Sequence, residues 1–129
     1  MMSANKCNVT DNQTSVVRMC SLAACKILRD EGLDAVMHMV CRDRNRIAAQ
    51  SDILGAAALG ISNLLCLSGD HQTFGDHPQA KNVFDLDSIQ LVKIACRMRD
   101  EGKFAGGKDL DDPLDLFIGA AANPFADPF

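Results

Sequence analysis

The chain has 129 residues, enough for one modest domain, and 47% of them are hydrophobic, so it can build a core and is not intrinsically disordered. Its 13 basic and 17 acidic side chains leave a net charge of −4, which gives no reason to propose a nucleic-acid partner. No apolar run reaches the length of a membrane span, and the N-terminus has no signal-peptide core, so no membrane partner is expected either.

The first element is a short strand, Cys7 to Thr10. Asp11 to Gln13 turns, and Thr14 or Ser15 can cap a helix running to about Glu31, with Gly32 just past its end. Ala35 to Val40 reads as a second strand. Asp43 or Asn45 caps the next helix, which carries Ile47, Leu54 and Leu59 and stops at Gly60. Asn63 to Leu67 is a third strand, and a polar loop runs from Gly69 to about Phe84. Asp85 or Asp87 caps a third helix whose Ile89, Val92 and Cys96 recur at i, i+3 and i+7; Gly102 closes it. A Gly/Asp-rich connection leads to a fourth strand, Leu114 to Ala120.

Strands alternating with helices mean parallel strands joined by right-handed crossovers. Two α/β architectures fit: a doubly wound open sheet, or part of a (β/α)₈ TIM barrel, about four parallel strands with three intervening helices. A complete barrel takes about 250 residues, so a barrel reading makes residues 1–129 a single incomplete domain.

The six cysteines, at 7, 20, 25, 41, 66 and 96, form no C-x-x-C pair and mostly sit in apolar runs. This argues for reduced thiols in a cytoplasmic protein and against disulfides or structural zinc. Parallel α/β folds gather their chemistry at the C-terminal ends of the strands. Here those ends are Thr10-Asp11, His38 to Cys41, Ser68-Gly69-Asp70 and Ala121 to Asn123. Helix caps alone would supply much of that polarity. The segment from Cys66 to Pro78 holds two Gly-Asp-His triplets, and Asp70, His71, Asp76 and His77 could be metal ligands or ordinary turn chemistry. Adjacent Asp-His pairs seldom both point at one ion. His38 can be a core histidine or a ligand. Arg42, Arg44 and Arg46 read as a solvated face, or as cations beside free helix N–H groups that would suit a phosphate.

Five segments in order, "NVTDNQ", "HMVCRDRNR", "LCLSGDH", "VFDLDSIQL" and "IGAAANP", resemble the methylenetetrahydrofolate reductase family. The resemblance implies a (β/α)₈ barrel that binds FAD, takes electrons from NAD(P)H, and passes a hydride to 5,10-methylenetetrahydrofolate to give 5-methyltetrahydrofolate. It places the chain in one-carbon metabolism that feeds methionine biosynthesis. It also implies that Cys7 to Thr10 is the second strand of the barrel and Leu114 to Ala120 the fifth.

The general acid of the family would then lie before residue 1, and the chain is expected to be a fragment, inactive alone and able to associate with itself or a partner subunit. By position, the resemblance makes Thr10, His38, Ser68, Gly69, Asp70, Phe84, Asp85 and Asn123 cofactor contacts. Asn123 stands where many members have Tyr, Asp127 where His is frequent, and Ser68 where Arg is common. Asp70 is the expected catalytic carboxylate, beside the flavin ring. The alternatives are a metal-dependent enzyme using Asp70 to His77, or a non-catalytic half-barrel that packs on a partner chain.

Overall fold

The structure, a computed structural model, describes residues 6–121. Four strands, β1 (Lys6–Val9), β2 (Asp34–Val40), β3 (Asn63–Leu67) and β4 (Phe117–Ala120), form one all-parallel sheet in the order β1-β2-β3-β4. Three helices alternate with them: α1 (Ser21–Asp30), α2 (Arg46–Ala58) and α3 (Ser88–Asp100). Strands that follow one another in space as in sequence, joined by crossovers of one hand, place every helix on the same face of the sheet. A doubly wound sheet reverses its strand order and covers both faces. The expected half of an α/β barrel is therefore the architecture observed.

Burial follows the two-residue period of the strands. Ala35, Met37 and Met39 of β2 and Leu64 and Cys66 of β3 face the helices and are buried, while Val36, His38, Leu65 and Leu67 face the other way and stay partly open. The core under the helices is completed by Cys25, Ile53, Leu91, Ala95 and Met98. Burial alone pushes the Cys25 thiol up to about 11. Burial, with charge from Asp87 adding and Arg44 opposing, takes Cys41 to about 11, and Cys66 reaches about 12 chiefly through burial. These three behave as small hydrophobes, not nucleophiles.

The other face is concave. Lys6, on one outer strand, holds its ammonium 5.6 Å from the ring centre of Phe117 on the other, and 3.9 Å from the Asp34 carboxylate. Asn63 donates to Asp34 (2.8 Å) and to the Ala35 carbonyl (3.2 Å). Side chains of the two outer strands can meet only if the sheet between them curls.

Two boundaries differ from the sequence reading. The first helix begins at Ser21, not at Thr14 or Ser15. Asn12, Thr14 and Ser15 have φ of 47°, 57° and 59°, which a right-handed helix cannot contain, and the segment makes a tight turn instead, closed by the Ser15 N–H donating to the Asn12 carbonyl (3.0 Å). The fourth strand begins at Phe117, after a small hairpin (Lys103 bridged to Asp109) and the proline at 113. The caps resolve the two open choices. Asn45 accepts from the Ala48 N–H, and Asp87 forms a capping box with Gln90. Among the described residues no helix is long and apolar enough to cross a membrane.

Leu91 is fully buried between α3 and the sheet. Leu91→Ala should lower the unfolding free energy by about 2–5 kcal/mol. Urea denaturation checks this, with the midpoint moving and the slope unchanged.

Candidate functional site

A cleft of about 430 Å³ opens on the concave face at the C-terminal ends of the strands. Thr10, His38, Ser68, Gly69 and Asp70 all line it, so five residues singled out in the sequence converge there. Phe84 and Asp85 are not in its lining, and Asn123 and Asp127 lie outside the described residues. The floor is apolar, from Val40, Leu65, Leu67 and Ala121.

The rim is built around a residue the sequence did not single out as structural. Arg42 is 3% exposed, not a solvated side chain. Its guanidinium donates to the Asp70 carbonyl (3.0 Å), the Ser15 hydroxyl (2.9 Å), the Asn12 carbonyl (3.2 Å) and, with two nitrogens, the Asp43 carboxylate (2.8 and 2.7 Å). The Ser15 hydroxyl in turn donates toward the Asp70 carbonyl (2.8 Å). One buried cation thus ties together the loops that follow β1, β2 and β3. The hydrogen bond from Arg42 holds the Asp43 carboxyl below the usual range, and the same bond raises Arg42.

The other two arginines are also engaged. Arg44 pairs with the fully buried Asp11 carboxylate and, at 2.8 Å, with Asp52. Burial works against the Arg44 charge, and the bonds to Asp11 and Asp52 outweigh it. Asp11 also accepts from the Val40 N–H (3.0 Å), so its carboxylate occupies the ladder position a longer β1 would have filled. Arg46 pairs with Asp85 at 2.8 Å. With every guanidinium on a carboxylate, the phosphate reading of this cluster does not hold.

Glycines set the shape of the rim. Gly69 has φ of 94°, and a Cβ there would come within 3.0 Å of Val40 Cβ. A Cβ on Gly75 would stand 1.9 Å from the Ser15 carbonyl oxygen, so the turn after Asp70 packs directly on the turn after β1. The Ser68 hydroxyl accepts from the Ser88 N–H at 3.0 Å, at the start of α3.

Among the described residues the Asp70 carboxylate accepts no hydrogen bond, although its backbone carbonyl is pinned and its charge acts on Arg42. His38 Nε2 lies 3.3 Å from Asn8 Oδ1. Burial lowers the His38 pKa, with Asp11 pulling the other way, so the ring is held neutral. His71 is turned to Thr73 and Asn82, and Asp76 and His77 pair with each other. Among the described residues no three His, Cys, Asp or Glu side chains gather to hold a metal ion.

A parallel α/β half-barrel with a cleft at its strand ends is the general class of barrel enzymes. The family model described as methylenetetrahydrofolate reductase matches residues 1–106, and the chain belongs to that family. No curated protein matched the chain.

Arg42→Gln leaves Asp70, Asn12 and Ser15 without a charged donor, and should cost about 1.5–3 kcal/mol in urea unfolding. His38 gives a pH signature. Its folded pKa lies below its unfolded one, so its contribution is complete above the ordinary imidazole pKa and is lost as pH falls toward the folded value. Between about pH 7 and pH 5 the wild-type chain should lose more stability than His38→Gln, as followed by urea midpoints.

Proposed function

We propose that the cleft receives the isoalloxazine ring of FAD, and that the chain serves the NAD(P)H-dependent reduction of 5,10-methylenetetrahydrofolate to 5-methyltetrahydrofolate. The observation that carries this reading is the convergence of Thr10, His38, Ser68, Gly69 and Asp70 on one cleft in a chain of this family. The residues present fit such a group. A cleft of about 430 Å³ is within the range of small-molecule sites. Its apolar floor suits the face of a flat heterocycle, and its polar groups stand at the edge. When bound, the flavin would supply the hydride chemistry between nicotinamide and folate.

The side chains have separable parts to play. Asp70 brings a negative charge to the rim; the Arg42 guanidinium acts on that charge, but among the described residues no hydrogen bond engages the carboxylate. That charge disfavours added negative charge on a neighbouring ring and so favours hydride delivery onward. His38, neutral, offers one donor and one acceptor rather than a second charge. Thr10 supplies a hydroxyl at the end of β1. Ser68 acts here mainly on α3, fixing the backbone on which Gly69 and Asp70 stand. We place Phe84, Asp85 and Asn123 at contacts beyond the ring, with Asp85 keeping Arg46 in position. A cytoplasmic setting is proposed on the strength of the thiols buried as hydrophobes.

The test is a flavin titration followed by a redox titration of the complex. Asp70→Asn should bind FAD with similar affinity, while the midpoint potential rises by about 30 mV, a tenfold change for a two-electron couple. Failure of the wild-type chain to bind FAD, or an unchanged potential in Asp70→Asn, would overturn the reading.

A further inference from the structure

The outer surface of α2 carries a pattern that the cleft does not use. Ile47, Ser51, Leu54 and Ala58 recur along one exposed stripe, and Ile47 is 76% exposed. At each end of this helix lies a groove. The C-terminal one, about 370 Å³, is floored by Leu54, Phe104 and Leu110 and edged by Asp111 and Asp112. The N-terminal one, about 310 Å³, is floored by Leu86 and Ile94 and edged by Lys93 and Arg97. The Lys103–Asp109 hairpin separates them, pinned at mid-helix by the Ala105 N–H donating to Gln50 Oε1 (2.7 Å).

The charges that remain after local pairing have opposite signs at the two ends. Asp109 is spent on Lys103 (2.7 Å) and Arg46 on Asp85 (2.8 Å). Asp111, Asp112 and Lys93 have no ion pair among the described residues, and Arg97 reaches Glu101 only at 3.7 Å. Arg46 and Ala58, at the two ends of the helix, are separated by about 18 Å along its axis.

We propose that a second copy of this chain docks on this face, with the two α2 helices antiparallel about a two-fold axis near Ser51. Turning the surface end for end sets the acidic groove of each copy on the basic groove of the other, and brings the Ile47–Leu54 stripes together. A self-complementary patch is what an isologous interface requires. A cationic peptide would satisfy the acidic groove and leave the basic one open, whereas a second copy satisfies both. The parallel arrangement opposes like charges at both ends and is disfavoured. The proposal is independent of the flavin reading, since this face lies on the helical side of the sheet.

Sedimentation velocity of the full chain over a concentration series tests it, with circular dichroism confirming that each variant folds. The wild type should form a dimer that weakens as salt rises. Lys93→Glu/Arg97→Glu and Asp111→Lys/Asp112→Lys should each self-associate about tenfold or more weakly. An equimolar mixture of the two should dimerise again, because every acidic patch then meets a basic one. If either double variant fails to fold, Lys93→Ala and Asp112→Asn should show the same weakening on a smaller scale. A wild type that stays monomeric, variants that dimerise as tightly as wild type, or a mixture no stronger than its parts would overturn the proposal.

Discussion

Everything at the strand ends depends on the placement of one buried guanidinium. Arg42 reaches the backbone of the loops after β1 and β3 from the end of β2, and Asp43 balances its charge. A buried charge without partners is costly, and a buried charge with every donor satisfied specifies one arrangement of the groups around it. The loops here are irregular and have few apolar contacts of their own. Their position is set by where five N–H groups in a fixed planar fork can all find acceptors. Beside it, Asp11 performs the reciprocal task, accepting from Arg44 and from the last amide of β2.

This division of labour explains how the same sheet supports a dry core and a polar cleft. Alternation along each strand sends Met37, Met39, Leu64 and Cys66 to the helices, where packing supplies stability. The intervening positions supply the concave floor. At the bottom, Lys6, Asp34, Asn63 and Phe117 close that floor with polar and cation–π contacts rather than packed apolar groups. At the top, the paired arginines hold the loops while the Asp70 carboxylate accepts no hydrogen bond among the described residues. The polar interactions therefore sort into those that fix the frame and the few left over for a ligand.

The strand–helix alternation was legible in the sequence because it rests on periodicity and caps, and the positions of Asn45, Asp87 and the glycines after each helix agree with those signals. The start of α1 was not legible. Thr14 and Ser15 are good caps in isolation, and tertiary contacts, from Arg42 to Asn12 and Ser15 and from Ser15 to the Asp70 carbonyl, accompany the left-handed backbone of that segment. The convergence of Thr10, His38 and Ser68 to Asp70 followed from the rule that parallel sheets work at their C-terminal ends. Arg42 was misjudged for a physical reason. Its burial is created by three loops distant in sequence, and no local pattern reports on that. An arginine directly after an apolar strand, with carboxylates near both neighbouring strand ends, was the available hint.

The turn at Gly75 has a consequence for how this chain tolerates change in length. Its backbone is pressed against Ser15, and a few residues later the Val83 N–H donates to the Arg42 carbonyl at 2.7 Å. The long loop after β3 is thus clamped at two points, one on each side of the 76–82 segment. What lies before the first clamp shapes the cleft; between the clamps, Asp76 and Asn82 at the ends still reach Val17 and His71, and the exposed middle, 77–81, is joined to itself by a bond from Ala80 to His77. Lengthening a loop between fixed ends costs only slowly growing closure entropy. Residues can be inserted or removed there, and the surface redecorated, while the Asp70 rim stays in register with the rest of the barrel wall.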